Sequence, residues 1–409
     1  MKKFFAFMAV AVLVLAGCAG GGGSSENSLT IFNLKPEIDE ALKKYAADYE
    51  AETGVKVTIK TCGGGCDYGS QLKSEFQSGS EPDIFVIQGE NDYVTWEHKV
   101  ADLSAEPWST DTEYAFVKDG KTYGFPYSVE GYGIIYNKDM MDKAGVDVST
   151  LTTYEGWVAA VQKIDEQKEA LGIDSVISMA AGPTMTWLTG SQNFNAYLAN
   201  GEQGMKYVDE VLAGTVDDAR LAEYANWVEL LFNNANQQVL NTGNYDEQVN
   251  AFKNGKTAFI AQGNWIAPNM ADATFEMGIA PMGSKTTATD GIFVSAPSFY
   301  AVNKDGANVE LAKKFLNDMV STDRGVQFIV EDAQMVPAFK SIKAEATNSL
   351  NQSVIDWVQK GNNYGWDHYY MPDGFCNNTL GAIYSQYANK QITKEEFIKQ
   401  VSEAIKTLQ

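Results

Sequence analysis

Four short tracts place amides, carboxylates or an aromatic ring close behind apolar runs: Asn33-Leu34-Lys35, Gln88-Gly89-Glu90-Asn91-Asp92, Gly263-Asn264-Trp265 and Ala181-Gly182-Pro183. Glu130 lies inside an otherwise apolar, glycine-rich run, where a carboxylate calls for a partner. Two chemistries use such a set. Recognition of a polyol takes paired hydrogen bonds from amides and carboxylates, with the apolar C–H face stacked on a ring such as Trp265 or Trp366. Hydrolysis of a glycosidic bond instead needs two carboxyl groups, about 5–5.5 Å apart for retention or about 6.5–9.5 Å for inversion. Glu90, Asp92, Glu130 and Asp373 are the carboxylates available for it. Nothing marks one of them as an acid of raised pKa, no Ser/His/Asp order or nucleophile elbow occurs, and neither His98 nor His368 sits in a catalytic motif. Binding is therefore the favoured chemistry. Each residue also has a plainer use: aromatics are core residues by default, polar loops solvate, and Trp366, Tyr369 and Tyr370 would serve equally to cap an interface. Trp187, Asn193 and Asn195 are further candidates, in a stretch whose pattern does not place it in the fold.

The elements that must position these residues read as alternating strands and helices. Ile38, Leu42, Tyr45 and Tyr49 recur at steps of three and four, a helical stripe stopped by Gly54. Val55, Val57 and Ile59 alternate as a strand does, Leu72 and Phe76 mark a short helix ending at Gly79, and the run DIFVI at 83–87 suits a parallel strand covered on both faces. The opening is β-α-β-α-β. Stripes through Trp157 and Val161, through Tyr224 and Trp227, and through Phe315 and Met319 predict further helices, as does Phe397 to Leu408 at the end. Strands are predicted at 257–261 and 299–302. Open α/β sheets follow, and in these the ligand sits beyond the carboxyl ends of the strands, which is where the four tracts lie.

The N-terminus speaks to location. Lys2 and Lys3 precede an apolar stretch, Phe4 to Leu15, shorter than the roughly 18 residues a spanning helix needs. The sequence LAGC at 15–18 resembles the bacterial lipobox, which predicts a signal peptide over 1–17 and a lipid on Cys18. A Gly/Ser-rich tether follows over 18–28. With 31 Lys and Arg against 53 Asp and Glu the net charge is −22, which disfavours nucleic acid and anionic lipid as partners. Cys62 and Cys66 flank three glycines and can close a small disulfide loop outside the cytoplasm, leaving Cys376 over. With only two histidines, neither at ligand spacing from a cysteine, no metal site and no cofactor are expected.

From about Leu29 onward the chain resembles the extracellular solute-binding proteins of family 1, the group of the maltose- and raffinose-type binding proteins. The resemblance rests on ordered motifs: SGSEPDIF at 78–85, GKTYGFPYSVEGYGIIYNKD at 120–139, KAG at 143–145, TTYEGW at 152–157 and FKNGKTAFIAQGNW at 252–265. It implies a periplasmic-binding-protein-like α/β fold of two lobes, 29–128 with 294–338 and 129–293 with 339–409, joined by a hinge crossed near 127–131, 292–297 and 336–340. It further implies a non-enzymatic monomer that captures a carbohydrate in the cleft and hands it to the permease of an ABC transporter. Carried onto this sequence, Glu130 takes a sugar-binding acidic position and Trp265 the stacking position. The loop Gln88, Glu90, Asn91 and Asp92 supplies polar contacts, and Lys35, Asn264, Trp366, Asp373 and Phe375 complete the expected set. The CGGGC tract and WDHYYMPDGF at 366–375 depart from the family pattern. An anionic solute such as a glycerol phosphate would call for clustered Lys or Arg, and the loops offer only Lys35.

Overall fold

The computed structural model describes residues 27–63, 66–199, 205–284, 290–343 and 345–409; the signal segment and Cys18 lie outside the described residues. The chain opens as β1 (Ser28–Asn33), helix α1 (Asp39–Thr53), β2 (Lys56–Thr61), helix α2 (Tyr68–Gln77), β3 (Ile84–Ile87) and helix α3 (Gly89–Trp96). Ser28, read in the sequence as tether, is thus already strand. A hairpin follows, β4 (Phe116–Lys118) and β5 (Lys121–Pro126), and then β6 (Glu130–Asn137), β7 (Ile177–Ser178), β8 (Phe259–Gly263), β9 (Met277–Ala280) and β10 (Ile292–Ser295). β11 (Phe299–Val302) and β12 (Asn363–Tyr364) complete the strands.

These strands form two sheets. The first has the order β2-β1-β3-β11-β5-β4, the second β12-β10-β6-β8-β7 with β9 on β6. β1 is parallel to β2 and β3, while β11 is antiparallel to β3 and β5. Parallel central strands buried on both faces explain the unbroken apolar run at 84–87, all of it buried. The strand expected at 257–261 forms two residues later, because Ala258 donates its N–H to Val176 O before regular pairing of β8 begins.

Each sheet has its own core. Leu42, Tyr45, Tyr49, Phe315 and Met319 pack on the first. On the second, Trp157 meets Trp227 and Phe259 edge-on at 5.6 and 5.3 Å and donates its indole N–H to Pro281 O. The chain passes between the sheets at 127–129 and at 296–298. The third passage comes later than the 336–340 the sequence suggested: Phe339 and Ile342 are buried in the first core, and helix Ser349–Lys360, capped by Asn348, packs on the second sheet.

Candidate functional site

The carboxyl ends of β1 and β3 and the start of β6 bring the first and second sheets together. After β1, Asn33 accepts the Lys35 N–H and donates to Lys35 O, which fixes the turn that presents the lysine. Pro36 then starts a single helical turn that turns Glu37 back beside it. The Lys35 ammonium lies 2.5 Å from Glu130 Oε1 and 3.3 Å from Glu37 Oε1, and 5.9 Å from the centre of the Trp265 ring. Ser128 donates to the same Glu130 oxygen at 3.2 Å. Burial works against the Lys35 charge, but attraction to Glu130 and Glu37 outweighs it and leaves the lysine pKa above its ordinary value. Glu37 is pushed upward by burial, which Lys35 only partly offsets. The cleft around this cluster is nearly filled, with a cavity volume of about 10 Å³, and its lining includes Lys35, Glu37, Ser128, Glu130, Asn264 and Trp265.

Trp265 is held by its surroundings. Its ring packs so closely on Gly263 that a Cβ there would fall 2.1 Å from it. Its indole N–H donates to Gln262, which in turn donates to the buried Gln248. Tyr132, Trp187 and Trp366 surround the ring with centroids at 6.1, 6.4 and 5.9 Å. Trp187, a candidate the sequence pattern did not place, therefore belongs to the aromatic wall.

Other expected residues have different employment. Asn264 is buried, accepting from Gly131 N–H and donating to Asn351, so it braces β6 and helix Ser349–Lys360. Asn91 donates to the carbonyls of Tyr369 and Met371, and Gln88 to Ser298 and the Tyr369 hydroxyl. The bonds to Tyr369 and Met371 join the start of α3 beside the first sheet to the segment after β12 of the second. Gly89, at φ +75°, takes a conformation that favours glycine, and a Cβ there would touch Tyr369 at 3.4 Å. Glu90 pairs with Lys118 on β4. Asp92 accepts the Gln88 N–H at 2.9 Å, and burial pushes its carboxyl up to about 6. Trp366 is buried edge-on to Tyr132 at 4.8 Å and stacked on Tyr369. Phe375 is buried in the second core and Asp373 is exposed, so neither joins the cleft cluster. Asn195 accepts the His368 N–H and donates to Gly365 O, a structural duty.

Glu37 and Gln262 were missed by the sequence reading. The only local signal for Glu37 was its place two residues after Lys35 across a proline. The Cα atoms of Cys62 and Cys66 are 5.8 Å apart with the sulfurs in contact, within the span a disulfide closes. Cys376 is buried, which pushes its thiol up to about 12. Among the described residues no group of three or more His, Cys, Asp or Glu is placed to hold a metal, and no helix is long and apolar enough to cross a membrane.

The architecture has known counterparts. A raffinose-bound solute-binding protein superposes with a TM-score of 0.77 at 17% identity, covering 93% of this chain and 99% of that one. A sugar transporter protein of Bacillus licheniformis in complex with stachyose gives 0.73 at 20% identity, covering 93% and 100%. In sequence, the multiple sugar-binding protein of Streptococcus mutans is 26% identical over 407 residues, 92% of this chain and 91% of that protein. The melibiose/raffinose/stachyose-binding protein of Bacillus subtilis is 21% identical, covering 99% and 96%. The profile of the bacterial extracellular solute-binding proteins matches residues 44–359, more than three quarters of the chain. With that match over a two-sheet fold whose strand ends meet at a cleft, the chain belongs to the bacterial extracellular solute-binding protein family.

Proposed function

We propose that this protein captures a carbohydrate, of oligosaccharide size, between two lobes and delivers it to an ABC importer while held to the outer face of the membrane by lipid on Cys18. The observation that carries the reading is the face-off at the cleft. Trp265, just after β8 of the second sheet, has the ammonium of Lys35, from the first, over its ring, and Glu130 pairs with that ammonium, so a pyranose inserted there would meet an aromatic face and charged hydrogen-bonding groups from both sides. Membership of a solute-binding family makes these carboxylates binding groups rather than an acid and a nucleophile. Sugar-named relatives of nearly full length support the ligand class.

Closure is the proposed mechanism. The present cleft, with a volume of about 10 Å³, is far smaller than the about 300–1,000 Å³ of a typical small-molecule site, so even a single sugar ring requires the sheets to part. The three passages at the junction supply the hinge, and the α3 contacts to Tyr369 and Met371 act as a clasp at the rim. A ligand touched from both sides favours the closed form by its differential affinity, which lets a permease distinguish loaded from empty protein. A thermal-shift screen of the mature chain against neutral oligosaccharides tests the reading, because a ligand specific to the native state raises its apparent stability. A flat response across α- and β-linked oligomers would refute it.

A further inference from the structure

We infer that the cleft is built for a glycan that carries a protonated amine, an amino sugar. This inference rests on the carbohydrate reading and narrows it. The cleft's charge balance is the starting point. Of the side chains lining it, the ionisable ones are Lys35, Glu37 and Glu130, one cation against two carboxylates, with side-chain exposures of 11, 8 and 5%. Both carboxylates turn an oxygen to the same ammonium, so with both ionised one negative charge is left over in a site largely shielded from water, and burial accordingly raises the Glu37 pKa until a second cation arrives. Glu130 is 4% exposed, and Lys35 and Ser128 both approach its Oε1. The ionisable neighbours that face the cluster from other elements are the hydroxyls of Tyr127, Tyr245, Tyr300 and Tyr369. Burial holds all four neutral, so none supplies the missing positive charge.

A buried excess carboxylate is unfavourable unless something positive meets it. A metal ion has no ligand set here among the described residues. A ligand carboxylate would add repulsion. An ammonium fits, and the chain already displays how: Lys35 places one between the carboxylates and within cation–π reach of Trp265. A ligand amine seated on the Trp265 face would share Glu130 and Glu37 with Lys35, bringing two cations to two carboxylates.

The test uses the full mature chain and isothermal calorimetry with tetrasaccharides that differ at the sugar's 2-position: chitosan tetramer with free amines, its N-acetylated form and cellotetraose. Maltotetraose and a galacturonate tetramer extend the panel to a neutral α-linked glycan and an acidic one. The expected result is at least 10-fold tighter binding of the free amine than of its hydroxyl and acetamido counterparts. That preference should collapse in Glu37→Gln, and in the unaltered protein when the pH is raised until the ligand amine deprotonates. The second arm does not depend on any variant folding. Equal or tighter binding of the hydroxyl, acetamido or uronate glycan overturns the inference. If maltotetraose binds and no amine-bearing glycan does, the inference falls while the carbohydrate reading stands; if no glycan binds, both fall.

Discussion

Replacing Lys35 by Met removes the one ammonium that serves both Glu130 and Glu37 while keeping most of the side-chain volume. The carboxylates it leaves are 5 and 8% exposed, so water cannot compensate them without movement. Deleting one partner of a buried ion pair costs about 3–5 kcal/mol. Were that cost borne wholly by unfolding of a lobe of roughly 200 residues, the melting temperature would fall by about 6–20 °C. The pair joins two sheets, however, and parting them would hydrate both carboxylates, so opening caps the loss. The expected outcome is a modest fall in melting temperature together with a larger radius of gyration by small-angle scattering. Acid should reverse the defect. Glu37 is already pushed above the ordinary carboxylate range, and a raised folded-state pKa means stability that is present near pH 4 and lost as the pH rises. The gap between Lys35→Met and the parent should therefore close toward about pH 4. A variant with unchanged melting temperature and unchanged radius of gyration at pH 7 would refute the claim that Lys35 links the sheets electrostatically.

Trp265→Ala should weaken glycan binding by about 2 kcal/mol or more, roughly 30-fold, as truncation of a central aromatic contact does. Calorimetry checks this, and Trp265→Phe, which keeps a ring but loses the bond to Gln262, should fall between the two. Asn91→Ala removes the donor to two carbonyls across the rim, so it should weaken every ligand by the same factor and expand the loaded protein in scattering; a loss confined to one ligand would make Asn91 a sugar contact. Asp92→Asn should stabilise the fold relative to the parent above about pH 6, with the advantage vanishing toward about pH 4, because burial raises the Asp92 pKa to about 6 and its charged form is the costly one. Chemical denaturation at several pH values would register the difference.

The fold was legible where side-chain periodicity reports burial directly. The opening β-α-β-α-β could be read from alternation at Val57 and Ile59, the stripe through Leu42 and Tyr49, and the apolar run at 84–87, because each pattern is local. The strand at 299–302 was legible for the same reason. The site was legible only as far as a topological rule reaches. Lying beyond a strand's carboxyl end pointed to Lys35 and Trp265, which line one cleft, since that position is a property of the sheet. It could not reveal that the donors of Gln88 and Asn91 would be engaged by a segment about 280 residues away, where Asn91 meets Met371, since hydrogen-bond partners at that separation leave no local trace. Nor could it reveal Glu37, whose approach to Lys35 depends on the single turn begun by Pro36. Asn264 and Phe375, expected among the ligand contacts, are buried once neighbouring elements dock on them, with Asn264 still at the wall of the cleft.

The rim clasp has a further consequence. Asn91 grips the main-chain carbonyls of Tyr369 and Met371, groups that every amino acid in those positions would supply. Substitutions among the side chains facing the cargo can therefore accumulate without forfeiting that grip. Selectivity and shutting are separable traits in such an arrangement, one written in side chains and the other in backbone. A lineage could exchange one cargo for another without rebuilding its latch, and an engineer could graft a new recognition surface while retaining the same conformational readout.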